Sequence, residues 1–110
     1  MKNDYEVALD RNRYAPSVVP QVPGQCFICR RSDRPLQRHE PFRGPFREKS
    51  KRLGCWVLIC DECHRKLHNN DNELEREVRG IVQGWAMEHY GWTIQDFRDR
   101  FGKNYLKEDG

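Results

Sequence analysis

Long apolar runs are absent from this sequence of 110 residues, and apolar residues are scarce throughout it. Only 36% of the residues are hydrophobic, 34% are charged, and the mean hydropathy is -1.01. No stretch reaches the roughly 18 apolar residues of a membrane-spanning helix, and the N-terminus lacks the basic start and apolar centre of a secretory signal. We therefore expect a cytoplasmic protein without a membrane partner. Its hydrophobic core is small, so we also expect a cross-link that stabilises the fold.

The number and spacing of the cysteines favour a metal site over a complete disulfide framework. The chain has 5 cysteines, an odd number, and four of them form two Cys-x-x-Cys pairs. Such a pair places two thiolates on one tight turn, so two pairs complete the tetrahedral shell of a structural zinc ion. We predict that Cys55 is an ordinary strand residue and that one zinc is bound by Cys26, Cys29, Cys60 and Cys63.

Prolines and apolar patterns divide the chain into an arm and a central unit at 25–70. Three prolines interrupt any helix near the N-terminus, so residues 1–24 are predicted to be an extended or disordered arm. Residues 35–42 and 55–60 are predicted to be strands that pair as a hairpin around a long basic loop. A helix is predicted to follow directly, over 61–68.

Two further helices are predicted in the C-terminal part, residues 71–106, where they pack on the central unit. Asn70 with Glu73 is a capping pattern for the first of them, and Thr93 with Asp96 is a capping box for the second. The apolar residues at helical spacing, which we expect in the core, are Leu74, Val78, Ile81 and Trp85 on the first helix and Ile94, Phe97 and Phe101 on the second.

Positive charge is concentrated between the two cysteine pairs. The formal net charge is only +3, but residues 30–52 contain nine basic residues against three acidic ones. A solvated loop and a phosphate-binding surface share this composition, and the position of the segment favours phosphate. DNA is the predicted partner, with RNA as the alternative, and no oligomeric state is predicted. The candidate contacts to nucleic acid are Arg38, Arg43, Arg47, Lys49, Lys51 and Arg52.

Three histidines form a second candidate metal site. His39 lies near the end of the first predicted strand, whereas His64 and His68 lie one turn apart on the helix that follows the second. Three imidazole ligands leave open positions for water and substrate, which a catalytic ion requires. The alternatives are that His64 joins the cysteine cluster or that these histidines are surface residues.

The order of these parts resembles the HNH endonucleases, whose ββα-metal (His-Me finger) motif is often held by a zinc between two Cys-x-x-Cys pairs. The similarity covers a CxxC pair, a strand ending in His39 and Glu40, a basic segment, WVLIC and CxxCHxxxH. The blocks RHEPF, KSKRLG and FGKNYL are similar to a small family of phage and mobile-element HNH-like proteins. The resemblance implies a small α+β fold, a zinc-stapled ββα-metal unit followed by C-terminal helices, in a bacterial host cell or encoded by a phage.

The resemblance also implies roles for the site residues. His39, His64 and His68 would bind a catalytic Mg²⁺, Mn²⁺, Ni²⁺ or Zn²⁺, and Glu40 would be the general base in place of a second histidine. In the alternative assignment, His39 is the base and Glu40 joins the helix histidines as a ligand. The middle asparagine of the motif would align near Cys55, so the chain departs from the family there.

The function implied is phosphodiester hydrolysis, in which a metal-dependent HNH-type endonuclease nicks or cleaves DNA with low sequence specificity. The main alternative is a non-catalytic, zinc-containing nucleic-acid-binding module that uses the same basic segment. A second alternative is a protein-interaction adaptor built on the aromatic helices.

Overall fold

A two-stranded antiparallel sheet and four α-helices make up the regular structure of the residues that the computed structural model describes, 10–68 and 72–106. The predicted small α+β fold is therefore confirmed. No helix in these ranges is both long and apolar enough to cross a membrane. In chain order the elements are β1 (Leu36–His39), a 3-10 helix (Gly44–Phe46), α1 (Arg47–Leu53), β2 (Val57–Cys60), α2 (Asp61–His68), α3 (Asn72–Tyr90) and α4 (Ile94–Phe101).

The hairpin register separates the two candidate sites. Leu36 pairs with Cys60 at one end of the sheet, and His39 pairs with Val57 at the other. Helix α2 begins directly after Cys60 and contacts both strands, so that its histidines reach the end of the sheet that carries His39. Cys60 and Cys63 therefore lie at the end of the sheet where α2 begins, and the histidines of β1 and α2 lie toward the opposite end.

The basic segment between the strands is a helix for most of its length, so the prediction of a long loop was wrong. Pro45 lies in the 3-10 helix, and α1 follows it and ends at Gly54, which adopts a left-handed conformation. Glutamate, lysine, arginine and leucine, which form most of α1, have high intrinsic helix propensities. Ser50 and Leu53 are its buried residues, and the Ser50 hydroxyl donates to the Phe42 carbonyl at 2.9 Å.

The core stripe predicted on α3 is correct only in part. Val78 is buried, but the side chains of Ile81 and Trp85 are each 43% exposed, and the buried line continues instead through Val82 and Ala86. These three buried residues are spaced by four positions, so the face that packs inward is rotated from the predicted one. The predicted cap at Asn70 lies outside the described residues.

Helix α4 follows its prediction closely. Thr93 and Asp96 form the capping box with both hydrogen bonds present, and Phe97 and Phe101 are buried. Ile94 is 38% exposed, so the prediction that it lies in the core was wrong.

Cys55 is buried, but it precedes β2, so the prediction that it is a strand residue was wrong. One hydrophobic core joins buried residues of β2 and of α1 to α4, and Leu36 of β1 packs against it.

The described part of the predicted arm, residues 10–24, contains no helix or strand and packs on the rest of the protein. Tyr14, Ala15 and Val19 are buried. The Ala15 amide donates to the Lys51 carbonyl at 2.8 Å, and the Trp56 indole donates to the Ala15 carbonyl at 2.8 Å. These bonds satisfy backbone groups of a segment that has no sheet or helix partners of its own.

Two glycines with the same backbone conformation provide a test of this packing. Gly54 and Gly91 have φ of 73° and 72°, but a Cβ on Gly54 would lie 2.2 Å from the Pro16 carbonyl oxygen, whereas one on Gly91 would meet nothing within 4 Å. Gly91→Ala should lower the free energy of unfolding by about 1 to 2 kcal/mol through the left-handed conformation alone. Gly54→Ala should lower the free energy of unfolding by roughly 1 to 3 kcal/mol more than Gly91→Ala does, because the N-terminal segment has to move. Urea unfolding followed by tryptophan fluorescence measures both, and equal losses would contradict the close packing of this segment.

Candidate functional site

Four cysteine sulfurs form a cluster that can bind a metal ion. The sulfurs of Cys26, Cys29, Cys60 and Cys63 all lie within 4.8 Å of one another, and those of Cys29 and Cys60 are 3.8 Å apart. Four sulfurs at the Zn–S distance of about 2.3 Å in a tetrahedron lie about 3.8 Å from each other. The predicted metal ligands are thus positioned together, and their spacing is compatible with structural zinc.

Backbone hydrogen bonds explain why the first cysteine pair is brought to the second. The Cys26 amide donates to the Arg31 carbonyl at 2.8 Å and closes the turn, while the Phe27 amide donates to the Leu58 carbonyl at 2.9 Å and attaches the turn to β2. Cys60 ends β2 and Cys63 lies in the first turn of α2. The sheet edge and the helix start therefore fix all four thiols.

The protonation of the cluster shows the effect of placing four sulfurs in contact. Burial raises the pKa of Cys26, but amide donors from Cys29, Cys60 and Ile28 outweigh it and lower that pKa to about 6. Burial and the neighbouring sulfurs raise the pKa of Cys63. The pKa values of Cys26 and Cys63 shift in opposite directions because amide donors favour the thiolate of Cys26, whereas burial disfavours that of Cys63. A bound cation would favour the thiolate form of every ligand.

A cavity of about 620 Å³ lies at the other end of the sheet and contains the predicted catalytic residues. It is lined by residues of β1, of the segment between the strands and of α2. Three imidazoles, one carboxylate and several guanidinium groups meet there, a mixture that can bind a phosphate or a divalent ion. The predicted residues brought together in this cavity are His39, Glu40, His64, His68, Arg38, Arg43 and Arg47.

The three histidines are neighbours, but they do not converge equally. The Nε2 atoms of His64 and His68 lie 3.1 Å apart, whereas the ring centroids of His39 and His64 are 5.8 Å apart. Within the described ranges, only the cysteine cluster brings three or more ligand atoms within 4.8 Å of one another. Helix α2 thus supplies a close pair of nitrogens, and His39 stands farther away.

His39 is buried, with 3% of its surface exposed, and its Nε2 has no hydrogen-bond partner. Among the described residues it is the one buried side-chain nitrogen or oxygen without a partner. Burial first, and then the charge of Arg43, lowers the pKa of His39 to about 4, so the ring is neutral at pH 7. A buried polar atom without a partner is costly, and an ion or water commonly accounts for one.

Glu40, next to His39, is buried and held by two donors. The Tyr14 hydroxyl donates to Glu40 Oε1 at 2.8 Å, and the Arg47 Nε donates to the same oxygen at 3.1 Å. Burial, and then the contact with Glu40, raises the pKa of Tyr14, so the phenol keeps the proton that it donates. The proposed base or ligand therefore has a fixed orientation.

Arg43 links the histidine pair to a buried carboxylate. Its guanidinium donates to Glu75 and approaches His68 Nδ1 at 3.3 Å. Because arginine only donates, His68 Nδ1 must accept and its Nε2 must carry the proton in this arrangement. Metal binding through His68 Nε2 requires the opposite tautomer, and so the contact with Arg43 has to break.

The six predicted nucleic-acid contacts all interact within the protein. The Arg38 guanidinium bonds Asp10 at 2.6 Å and lies 4.2 Å from the centre of the Tyr14 ring. Lys49 donates to the Arg100 carbonyl at 2.7 Å. Lys51 forms a longer ion pair with Glu48, in which Nζ lies 3.8 Å from Oε1. Arg43 and Arg47 bond the carboxylates described above, and Arg52 also has a partner.

Two residues of the site, Tyr14 and Glu75, could not be found from the sequence. Tyr14 lies in the predicted arm, and Glu75 lies on α3 with the pattern of an ordinary helix surface. Strands β1 and β2 are followed directly by helix α2, with α1 between the strands. No protein-family model, curated protein or solved structure matches this chain, so the resemblance to HNH endonucleases stays a prediction from the sequence motifs.

Proposed function

We propose that this protein is a metal-dependent endonuclease of the HNH type, with a structural zinc at the cysteine cluster and a catalytic site in the histidine cavity. The observation that carries the proposal is the pair of Nε2 atoms of His64 and His68, 3.1 Å apart, in a cavity that is also lined by His39, whose Nε2 has no partner. Two nitrogens that bind one tetrahedral ion, each at about 2.0 Å from the ion, lie roughly 3.3 Å apart, which is close to the separation of these two Nε2 atoms.

The residues of the cavity have the chemistry that phosphodiester hydrolysis needs. A divalent ion held by the imidazoles would stabilise negative charge on the phosphoryl oxygens. His39 is neutral at pH 7 and can accept a proton from water at a ring nitrogen, and the carboxylate of Glu40 can accept one at an oxygen. Arg43 and Arg47 line the same cavity and can bind the phosphate as charged donors.

The proposed substrate is DNA, bound through its backbone. Helix α1 carries Arg47, Lys49, Lys51 and Arg52, and the Arg47 side chain is 66% exposed despite its bond to Glu40. Contacts to phosphates give affinity without reading bases, so cleavage should have low sequence specificity. Binding should weaken steeply as salt is added, because phosphate contacts release counterions.

Incubation of the purified protein with supercoiled plasmid and Mg²⁺, Mn²⁺, Ni²⁺ or Zn²⁺ tests the proposal. We expect the wild type to nick the plasmid and His64→Ala to lose this activity. His89→Ala is the matched control, because His89 is exposed and lies outside the cavity. Binding of DNA without nicking under any of the four metals would reject the endonuclease. Metal analysis should give one zinc that resists mild chelation and one exchangeable ion.

The second candidate function is a non-catalytic, zinc-containing module that binds nucleic acid. It is favoured by the chain of contacts from Arg43 through His68 to His64, which pairs these groups without a second ion. In that case the protein binds one metal ion under every condition, and His64→Ala leaves both DNA binding and metal content unchanged. The same plasmid and metal measurements therefore separate the two functions.

A further inference from the structure

We propose that Tyr14 is a positioning residue of the catalytic site, and that it acts by holding the carboxylate of Glu40. The N-terminal segment would then be part of the active centre and not only a covering of the sheet. This inference rests on the proposed endonuclease function, and it adds a residue that neither the motifs nor the resemblance assigns.

The contacts of Glu40 divide its two oxygens into different roles. Tyr14 and Arg47 both donate to Oε1, at 2.8 Å and 3.1 Å. Within the described part of the chain, no hydrogen bond reaches Oε2. Since Glu40 lines the cavity, fixing Oε1 leaves Oε2 as the atom that can take a proton or bind an ion there.

Tyr14 is itself held firmly enough to orient another side chain. Its amide donates to Asp10 Oδ1 at 3.0 Å, and its carbonyl accepts from the Asp10 amide at 2.9 Å. The Arg38 guanidinium and the Lys51 ammonium lie 4.2 Å and 4.9 Å from the centre of its ring. The hydroxyl therefore has a defined place before any substrate arrives.

Two donors hold the Glu40 carboxylate better than one, because a glutamate side chain has several rotatable bonds and a reacting group must be held close to its productive geometry. Arg47 alone is a weak restraint, since its side chain is 66% exposed. The buried hydroxyl of Tyr14 supplies the inner contact, and a hydrogen bond to a charged group corresponds to about a 10- to 100-fold change in rate when it acts on the transition state.

The experiment compares Tyr14→Phe with Ser17→Ala in the full chain. Both variants lose one hydroxyl of the N-terminal segment, but the Ser17 hydroxyl donates to the Trp56 carbonyl and does not touch Glu40. We expect Tyr14→Phe to lower kcat by about 10- to 100-fold with KM nearly unchanged, and Ser17→Ala to leave both unchanged. Rates are measured below the unfolding midpoint of each variant, so that lost stability does not enter.

A double-mutant cycle with Glu40→Gln distinguishes positioning from a general structural role. If Tyr14 acts through Glu40, Tyr14→Phe has little further effect once the carboxylate is gone. Equal fold losses in both backgrounds, or a wild-type rate in Tyr14→Phe, would overturn this inference while leaving the endonuclease in place. Absence of nicking by the wild type would instead reject the proposed function itself.

Discussion

Replacing Cys63 with serine should abolish cooperative folding of this protein. Binding of a structural zinc contributes on the order of 10 kcal/mol, which is as large as the whole unfolding free energy of many small domains. The sulfur of Cys63 lies within 4.8 Å of the other three ligands, so its loss opens the shell. We expect Cys63→Ser, and the wild type after strong chelation, to lose the tightly held zinc and the helical circular-dichroism signal together.

Cys55 provides the matched control for this experiment. It is a buried cysteine like Cys63, but it lies outside the cluster, and burial raises its pKa so that it remains a thiol. Cys55→Ala should retain one equivalent of zinc and lose only about 1 kcal/mol of unfolding free energy through the smaller side chain. A Cys63→Ser protein that keeps its zinc and its melting temperature would show that the cluster is not a metal site.

The variants His39→Ala and Glu40→Gln should separate the general base from the metal ligand. Loss of a general base lowers the rate by about 10²- to 10⁴-fold and leaves the exchangeable ion bound. Loss of a ligand lowers the affinity for that ion as well as the rate. Plasmid nicking combined with titration of Mn²⁺ measures both effects. We expect each variant to lose most of its activity and only one of them to lose the ion.

Gln37→Ala is the control for these two variants. Gln37 lines the same cavity but is assigned neither to the base nor to the ion, so its loss should leave the nicking rate close to that of the wild type. If both His39→Ala and Glu40→Gln nick as fast as the wild type, the chemistry does not take place in this cavity. Circular dichroism of each variant shows that the fold is intact.

The features that depend on neighbours along the chain could be predicted from the sequence. The two Cys-x-x-Cys turns, the short apolar strand that ends at Cys60 and the capping box at Thr93 each arise within a few residues, so local spacing is enough to define them. The hairpin followed from the same patterns. The helix in the basic segment was missed because Gly44, Pro45 and the alternating basic residues have the composition of a loop, although the residues of α1 have high helix propensities.

The histidine cavity shows what local spacing leaves open. His64 and His68 meet because they are one turn apart on α2, which the sequence determined. Tyr14 meets Glu40, and Arg43 meets Glu75, across 26 and 32 positions of the chain. Such pairs depend on how the N-terminal segment and α3 pack on the sheet, and no periodicity of the sequence records that packing. The tertiary structure alone therefore decided which donors hold the proposed base, and that Ile81 and Trp85 remain exposed.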